Sequence, residues 1–143
     1  MTSAPDKRDG RDPQTRFLGT VKDTLLETLG IVVTVAEADR VEATMPVTKV
    51  HHQPHGILHG GASVALAETV ASIGASIELG ASQRAVGLEI NANHLRQVSG
   101  GQLTAVAVPV HRGRRTHVWS VEIRDDHDKL VCVSRCTVVI IEF

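Results

Sequence analysis

Cysteine, aromatic residues and net charge are all scarce in this sequence. The only cysteines, Cys132 and Cys136, lie four apart in an apolar, strand-like run rather than in a C-x-x-C pair. They read as buried thiols of a reducing cytosol, not as a redox couple or metal ligands. There is no tyrosine, one tryptophan and two phenylalanines among 143 residues, so a pocket here has few aromatic side chains to be lined with. Acidic and basic residues nearly cancel, 16 against 15, for a formal net charge of −1. No overall field favours nucleic acid or a membrane surface, and any anion recognition must be local. The opening "MTSAPDKRDGRDPQTR" has no apolar stretch and is not a signal peptide. Its alternating charges, Pro and Gly predict a disordered segment over 1–15, followed by a single domain over 16–143. The one apolar stretch long enough to weigh as a membrane span, Gly61 to Leu79, carries Glu68, Glu78 and repeated serines. An interior helix explains it better.

What is there alternates between two periods. "FLGTVKDTLLETLG" places Phe17, Val21, Leu25, Leu26 and Leu29 at helical spacing, with Gly30 as the stop. "IVVTVAEADRVEATMPV" reads as two strands around an Ala-Asp-Arg turn. Lys49 to Gly61, with Pro54 and three glycines, is an irregular loop. A long apolar helix follows from Ala62 to about Leu79, ended by Gly80. Four β-rich stretches complete the chain, Arg84–Leu95, Gln102–His111, Thr116–Arg124 and Lys129–Glu142, separated by "VSGG", "RGRR" and "DDHD". A helix that is apolar all round cannot lie on a surface. An antiparallel sheet curled around it, burying it on nearly every side, gives a two-layer α+β domain.

One carboxylate, Glu68, sits in the middle of that helix. Taking it from water is costly unless it is paired or its proton affinity rises. A buried acid satisfied by a hydrogen bond is the simpler reading, but its neighbours suggest chemistry. Ser72 lies one turn on and can hydrogen-bond a carboxylate or a water. Gly60 and Gly61, just before the helix, leave backbone N–H groups approachable, and such donors suit a developing oxyanion. An acid able to act as base or nucleophile, beside those donors, describes acyl transfer to water. Gly60 and Glu68 are separated by about 12 Å along a helix, at roughly 1.5 Å per residue. One chain's Gly60 and Glu68 do not easily reach the same carbonyl. Two antiparallel helices at a two-fold interface bring one chain's Gly60 to the other's Glu68, which points to a dimeric site.

"HHQPHGILH" holds His51, His52, His55 and His59, which invites a metal. Pro54 and Gly56 prevent one continuous helix and no Cys or Asp lies nearby, so no metal site is expected. His59, beside the glycines, can donate to a carbonyl, orient a neighbour or simply fix the loop. Gln53 can hold a carbonyl or a water. "HRGRRTHVW" sets Arg112, Arg114 and Arg115 around Gly113, either a solvated hairpin end or a compact, phosphate-sized basic patch. With an acyl-transfer site in the same domain, a phosphate-bearing carrier such as coenzyme A becomes attractive.

"HQPHGILHGGASVALAETVAS", with "GLEINANHLRQV" and "HRGRRTHVWSVEI", resembles the hotdog-fold acyl-CoA thioesterases of the phenylacetate-degradation type. Within them it is similar to the 1,4-dihydroxy-2-naphthoyl-CoA thioesterases and to one branch of 4-hydroxybenzoyl-CoA thioesterases. The likeness runs from about Leu18 to Ile141, and its H-G-G-x(6)-E block is specific. It implies a hotdog fold, a long central helix wrapped by a curved antiparallel sheet. It also implies Glu68 as catalytic nucleophile or general base and Gly60 as backbone donor to the thioester oxygen. By the same resemblance His59 and Gln53 contact the carbonyl or water, Ser72 assists hydrolysis, and Gly61 and His94 bind substrate. Arg112, Arg114 and Arg115 would hold the nucleotide phosphates. Together these readings lead us to expect a cytoplasmic enzyme without metal or redox cofactor, coenzyme A being part of the substrate. The resemblance implies a homodimer with shared sites, often paired into a homotetramer. His55 stands where close relatives often carry an aromatic residue, which leaves an aliphatic acyl group open beside an aryl one. The alternatives are a non-catalytic acyl-CoA-binding sensor and a hotdog dehydratase. A sensor would want a further DNA-binding or partner domain, and a dehydratase a His and an acid paired on one substrate carbon.

Overall fold

A computed structural model describes residues 15–143. Residues 1–14 lie outside the described residues, and Thr15 opens a short 3-10 turn, Thr15–Phe17. Six strands form one antiparallel sheet: β1 Val32–Glu37, β2 Arg40–Pro46, β3 Gln83–His94, β4 Gln102–Arg112, β5 Thr116–Arg124 and β6 Leu130–Glu142. Their order is β1-β2-β4-β5-β6-β3, which leaves β1 and β3 at the edges. The period-2 stretches of the sequence are these strands, with ends displaced by about one residue. Bulges at Val33/Val35, Gly87/Glu89 and Pro109/His111 add twist and curl the sheet.

The long helix, α2 Gly60–Ser76, lies across the concave face. Ala62, Ser63, Leu66, Ala67, Val70, Ala71, Gly74 and Ala75 are buried along it. Small residues let the sheet come close: a Cβ on Gly74 would fall 2.5 Å from the ring of buried Trp119. This is the hotdog arrangement of helix and sheet. Among the described residues no helix is long and apolar enough to cross a membrane.

Three expectations need correction. The sheet covers one face of α2 rather than nearly every side, because a single curved layer cannot close around a helix. Val64, Ala65, Glu68, Thr69, Ser72 and Ile73 remain only half-buried. The helix itself starts two residues earlier than expected, at Gly60, and ends three residues earlier, at Ser76. The first amphipathic stretch is helical only at its end, α1 Leu25–Leu29. Gly19 (φ 88°) exchanges backbone hydrogen bonds with Val33, and Asp23 (φ 59°) turns the chain, so tertiary pairing overrides the helical period. Gly30 does stop α1: its N–H bonds Glu27 O while that of Ile31 bonds Leu26 O, a Schellman closure with Gly30 at φ 67°.

Candidate active site

The start of α2 is built by His59. It is the N-cap, with extended backbone, and its Nδ1 accepts the Gly61 N–H at 2.7 Å. The two glycines are therefore the first helical residues, and the Gly61 donor is already used. Gly60 N–H has no hydrogen-bond partner among the described residues. With Nδ1 accepting, Nε2 is the ring nitrogen left to donate, and the residue is exposed. His94, at the end of β3, lies over Gly60: a Cβ there would fall 2.7 Å from His94 Nε2. Gln53 is fixed by its own loop. Its N–H donates to Ile57 O at 2.8 Å and its Oε1 accepts the His55 N–H, leaving its amide NH2 to donate elsewhere. Gln53, Gly60 and His94 share a cavity of about 310 Å³ with Ser63 and Arg96. Ser63 was not marked by sequence reasoning; it is buried and its Oγ has no partner.

Glu68 opens elsewhere. It lines a second cavity, of about 550 Å³, with Gly61, Thr69 and Ser72 on α2 and Phe17, Val21, Leu25 and Leu26 from the segment before β1. Its carboxylate rests against β3 at the Gly87 bulge, where any Cβ would overlap Glu68 Oε1. A glycine inside a strand signals such a close approach, and Gly87 was the sign available in the sequence. No hydrogen bond or ion pair engages the Glu68 carboxylate among the described residues. Beneath it, burial pushes the Cys136 thiol up to about 11, with Glu68 and Glu89 adding to the effect. Burial likewise raises Cys132, and both cysteines are free and buried.

The remaining candidates separate. His51 is buried and structural: its Nδ1 accepts the Thr48 N–H at 3.1 Å and its Nε2 lies 2.7 Å from Leu29 O. His52 Nε2 lies 2.9 Å from Ser99 O. The three arginines of the hairpin do not form one patch. Arg112 Nη1 donates to Ala38 O at 2.7 Å and to Glu78 Oε2 at 3.0 Å. Arg114 and Arg115 stay together, exposed, in a cavity of about 490 Å³ with Gln83 and Glu142. Burial first, then the Arg112 charge, lowers the proton affinity of His117 behind the hairpin.

A family model described as thioesterase superfamily matches residues 55–132, more than half of the chain. The chain belongs to the thioesterase superfamily. The proofreading thioesterase EntH of Cronobacter sakazakii is 46% identical over 118 residues, covering 82% of this chain and 86% of that protein. The 1,4-dihydroxy-2-naphthoyl-CoA hydrolase of Listeria monocytogenes is 46% identical over 116 residues, covering 81% and 94%. A solved thioesterase of Haemophilus influenzae superposes with a TM-score of 0.81 at 47% identity, covering 85% of each chain. The resemblance drawn from the histidine-glycine block is thus borne out, in family and in fold.

For a thioesterase the geometry has one consequence. Donors suited to a carbonyl oxygen, at Gly60 and Gln53, face one cavity, while the unpaired carboxylate and Ser72 face another. Within a single chain these two groups are set apart along α2.

Proposed function

We propose that the protein hydrolyses an acyl-CoA thioester to the free acid and coenzyme A, at sites shared between two chains. The observation that carries this reading is Glu68, a half-buried carboxylate with no partner among the described residues, held against Gly87 in the wall of a cavity that also holds Ser72. A carboxylate kept free in that position is available as base or nucleophile. As base it takes a proton from water while the water oxygen adds to the thioester carbon. The C–S bond then breaks and the sulfur leaves as a thiolate that acquires a proton. The partner's Gly60 N–H, at the positive end of its α2, stabilises the carbonyl oxygen as charge develops. His59, through Nε2–H, and the amide of Gln53 add donors at the same end. His94 and Gly61 bound the substrate, and Ser72 positions the water or the carboxylate. Arg114 and Arg115, exposed together, would meet the nucleotide phosphates, whereas Arg112 is engaged by Glu78 and Ala38.

Two edge features support the pairing of chains. β3 is an edge strand of twelve residues, and its outward Val86 and Leu88 are 44% and 64% exposed. A long edge strand presents unpaired backbone N–H and C=O groups, a template for another strand. The test is release of thiol from a panel of acyl-CoAs by the wild type and by Glu68→Gln. We expect kcat of the variant to fall by roughly 10²–10⁴ with the fold intact. Near-normal turnover would remove Glu68 from the mechanism.

A further inference from the structure

The half-buried face of α2 is roofed by residues 15–29, which run along it as a strap in the opposite direction. Two hydrogen bonds fix that direction. Arg16 Nη2 donates to Ser76 O at 2.9 Å, at the last residue of α2. At the other end Leu29 O meets His51 Nε2, in the loop before α2 begins. Between them Gly19 is paired to Val33, so the strap is anchored at both ends and in its first half. Under it lies the cavity that contains Glu68.

The lining of that cavity is divided by chemistry. The strap contributes Phe17, Val21, Leu25 and Leu26, and α2 adds Val64, Ala65 and Ile73. Its polar side chains are Glu68, Thr69 and Ser72, all on α2, and Thr69 Oγ1 already donates to Ala65 O at 2.7 Å. No side chain of the strap wall can accept or donate a hydrogen bond to a ring hydroxyl. Val21 and Leu25 are 50% and 58% exposed beside a charged group, an apolar surface left without cover.

We infer that the strap over α2 is the acyl subsite, and that its occupant is an aliphatic acyl chain whose thioester end lies at Glu68. This rests on the reading of Glu68 as the reacting carboxylate and adds the substrate class to it. Val21 and Leu25 act as the gauge of chain length, because they stand over the groove where a chain leaving Glu68 must pass.

The test separates the groove from the reaction. Calorimetry would measure binding of saturated acyl-CoA ketone analogues, in which a methylene replaces the sulfur, from acetyl to palmitoyl. Benzoyl and dihydroxynaphthoyl analogues complete the series. For the wild type, affinity should rise roughly fourfold per buried methylene until the groove is full. In Leu25→Trp and in Val21→Trp, at exposed positions that tolerate the change, the rise should stop at shorter chains. Aryl analogues bound more tightly than every aliphatic one would overturn the inference. So would a wild type indifferent to chain length, or two variants with unaltered profiles. A flat profile with variants that lose a dimer on gel filtration would give the groove to a second copy instead. Thiol release from the matching thioesters is scored separately. Chain-dependent binding without release keeps the subsite and ends the thioesterase reading, and release without chain dependence does the reverse.

Discussion

Gly87 shows how much a single missing side chain can settle. It sits at a bulge in β3, and the Glu68 carboxylate occupies the space its Cβ would fill. The group in the way is the far end of a flexible side chain, so alanine there should fold by swinging the carboxylate aside. We expect Gly87→Ala to leave Tm nearly unchanged while kcat falls by roughly 10²-fold, the effect of displacing a reacting group by about 1 Å. The control is Gly80→Ala, whose new Cβ would meet only Gln83 Oε1 at 3.7 Å, an ordinary contact, and which should match the wild type. Thiol release and scanning calorimetry on the three proteins decide the point, and an unchanged kcat in Gly87→Ala would deny that Glu68 works from this position. His59 illustrates the same scale differently. Its Nδ1 bond to Gly61 both caps α2 and dictates which ring nitrogen is left to donate.

At the scale of elements, the β4–β5 hairpin divides its arginines between structure and exposure. Arg112 joins the β1–β2 turn, through Ala38 O, to Glu78 just beyond α2. Arg114 and Arg115 have no such ties and line an exposed cavity. Arg114→Ala should therefore raise KM for coenzyme A thioesters, more at low salt, and leave a pantetheine thioester nearly unaffected. Arg112→Ala should alter both substrates alike, through the hairpin. Equal losses on both substrates for Arg114→Ala would make it structural or part of an interface. The strands were legible in the sequence because a period of two, bounded by turn residues, survives folding almost unchanged. The strap was not. Its helical spacing from Phe17 to Leu29 is real, but pairing of Gly19 with Val33 and the turn at Asp23 are contacts that local periodicity cannot carry. Phe17, Val21 and Leu25 nonetheless line one cavity with α2, as a wall instead of a helix face.

For the whole molecule, the histidine-glycine block made the candidate site legible, since its residues lie close in sequence at one end of one helix. What stayed hidden depended on packing that local sequence does not carry: Gly87 of β3 under Glu68, and the hydroxyl of Ser63 on α2, buried without a partner among the described residues beside Gly60 and His94. The separation of Gly60 from Glu68 was readable from helical rise alone, and the two cavities now give it a physical form. It leads to a prediction about assembly. Take two inactive variants, Glu68→Ala and the double change Gln53→Ala with His59→Ala, and let their chains exchange under mild denaturant. If each site takes Glu68 from one chain and the Gln53–His59 loop from the other, a mixed dimer has one site with every defect and one with none. Random pairing makes about half of the dimers mixed, so activity should return to about a quarter of the wild-type level. Native mass spectrometry would verify that exchange occurred. If each site were built within one chain, every site would still carry a defect and the exchanged mixture would stay inactive. Verified exchange without recovery would thus return the site to a single chain. It would then require the strap and α2 to bend until one chain's Gly60 and Glu68 meet the same carbonyl, across about 12 Å of helix.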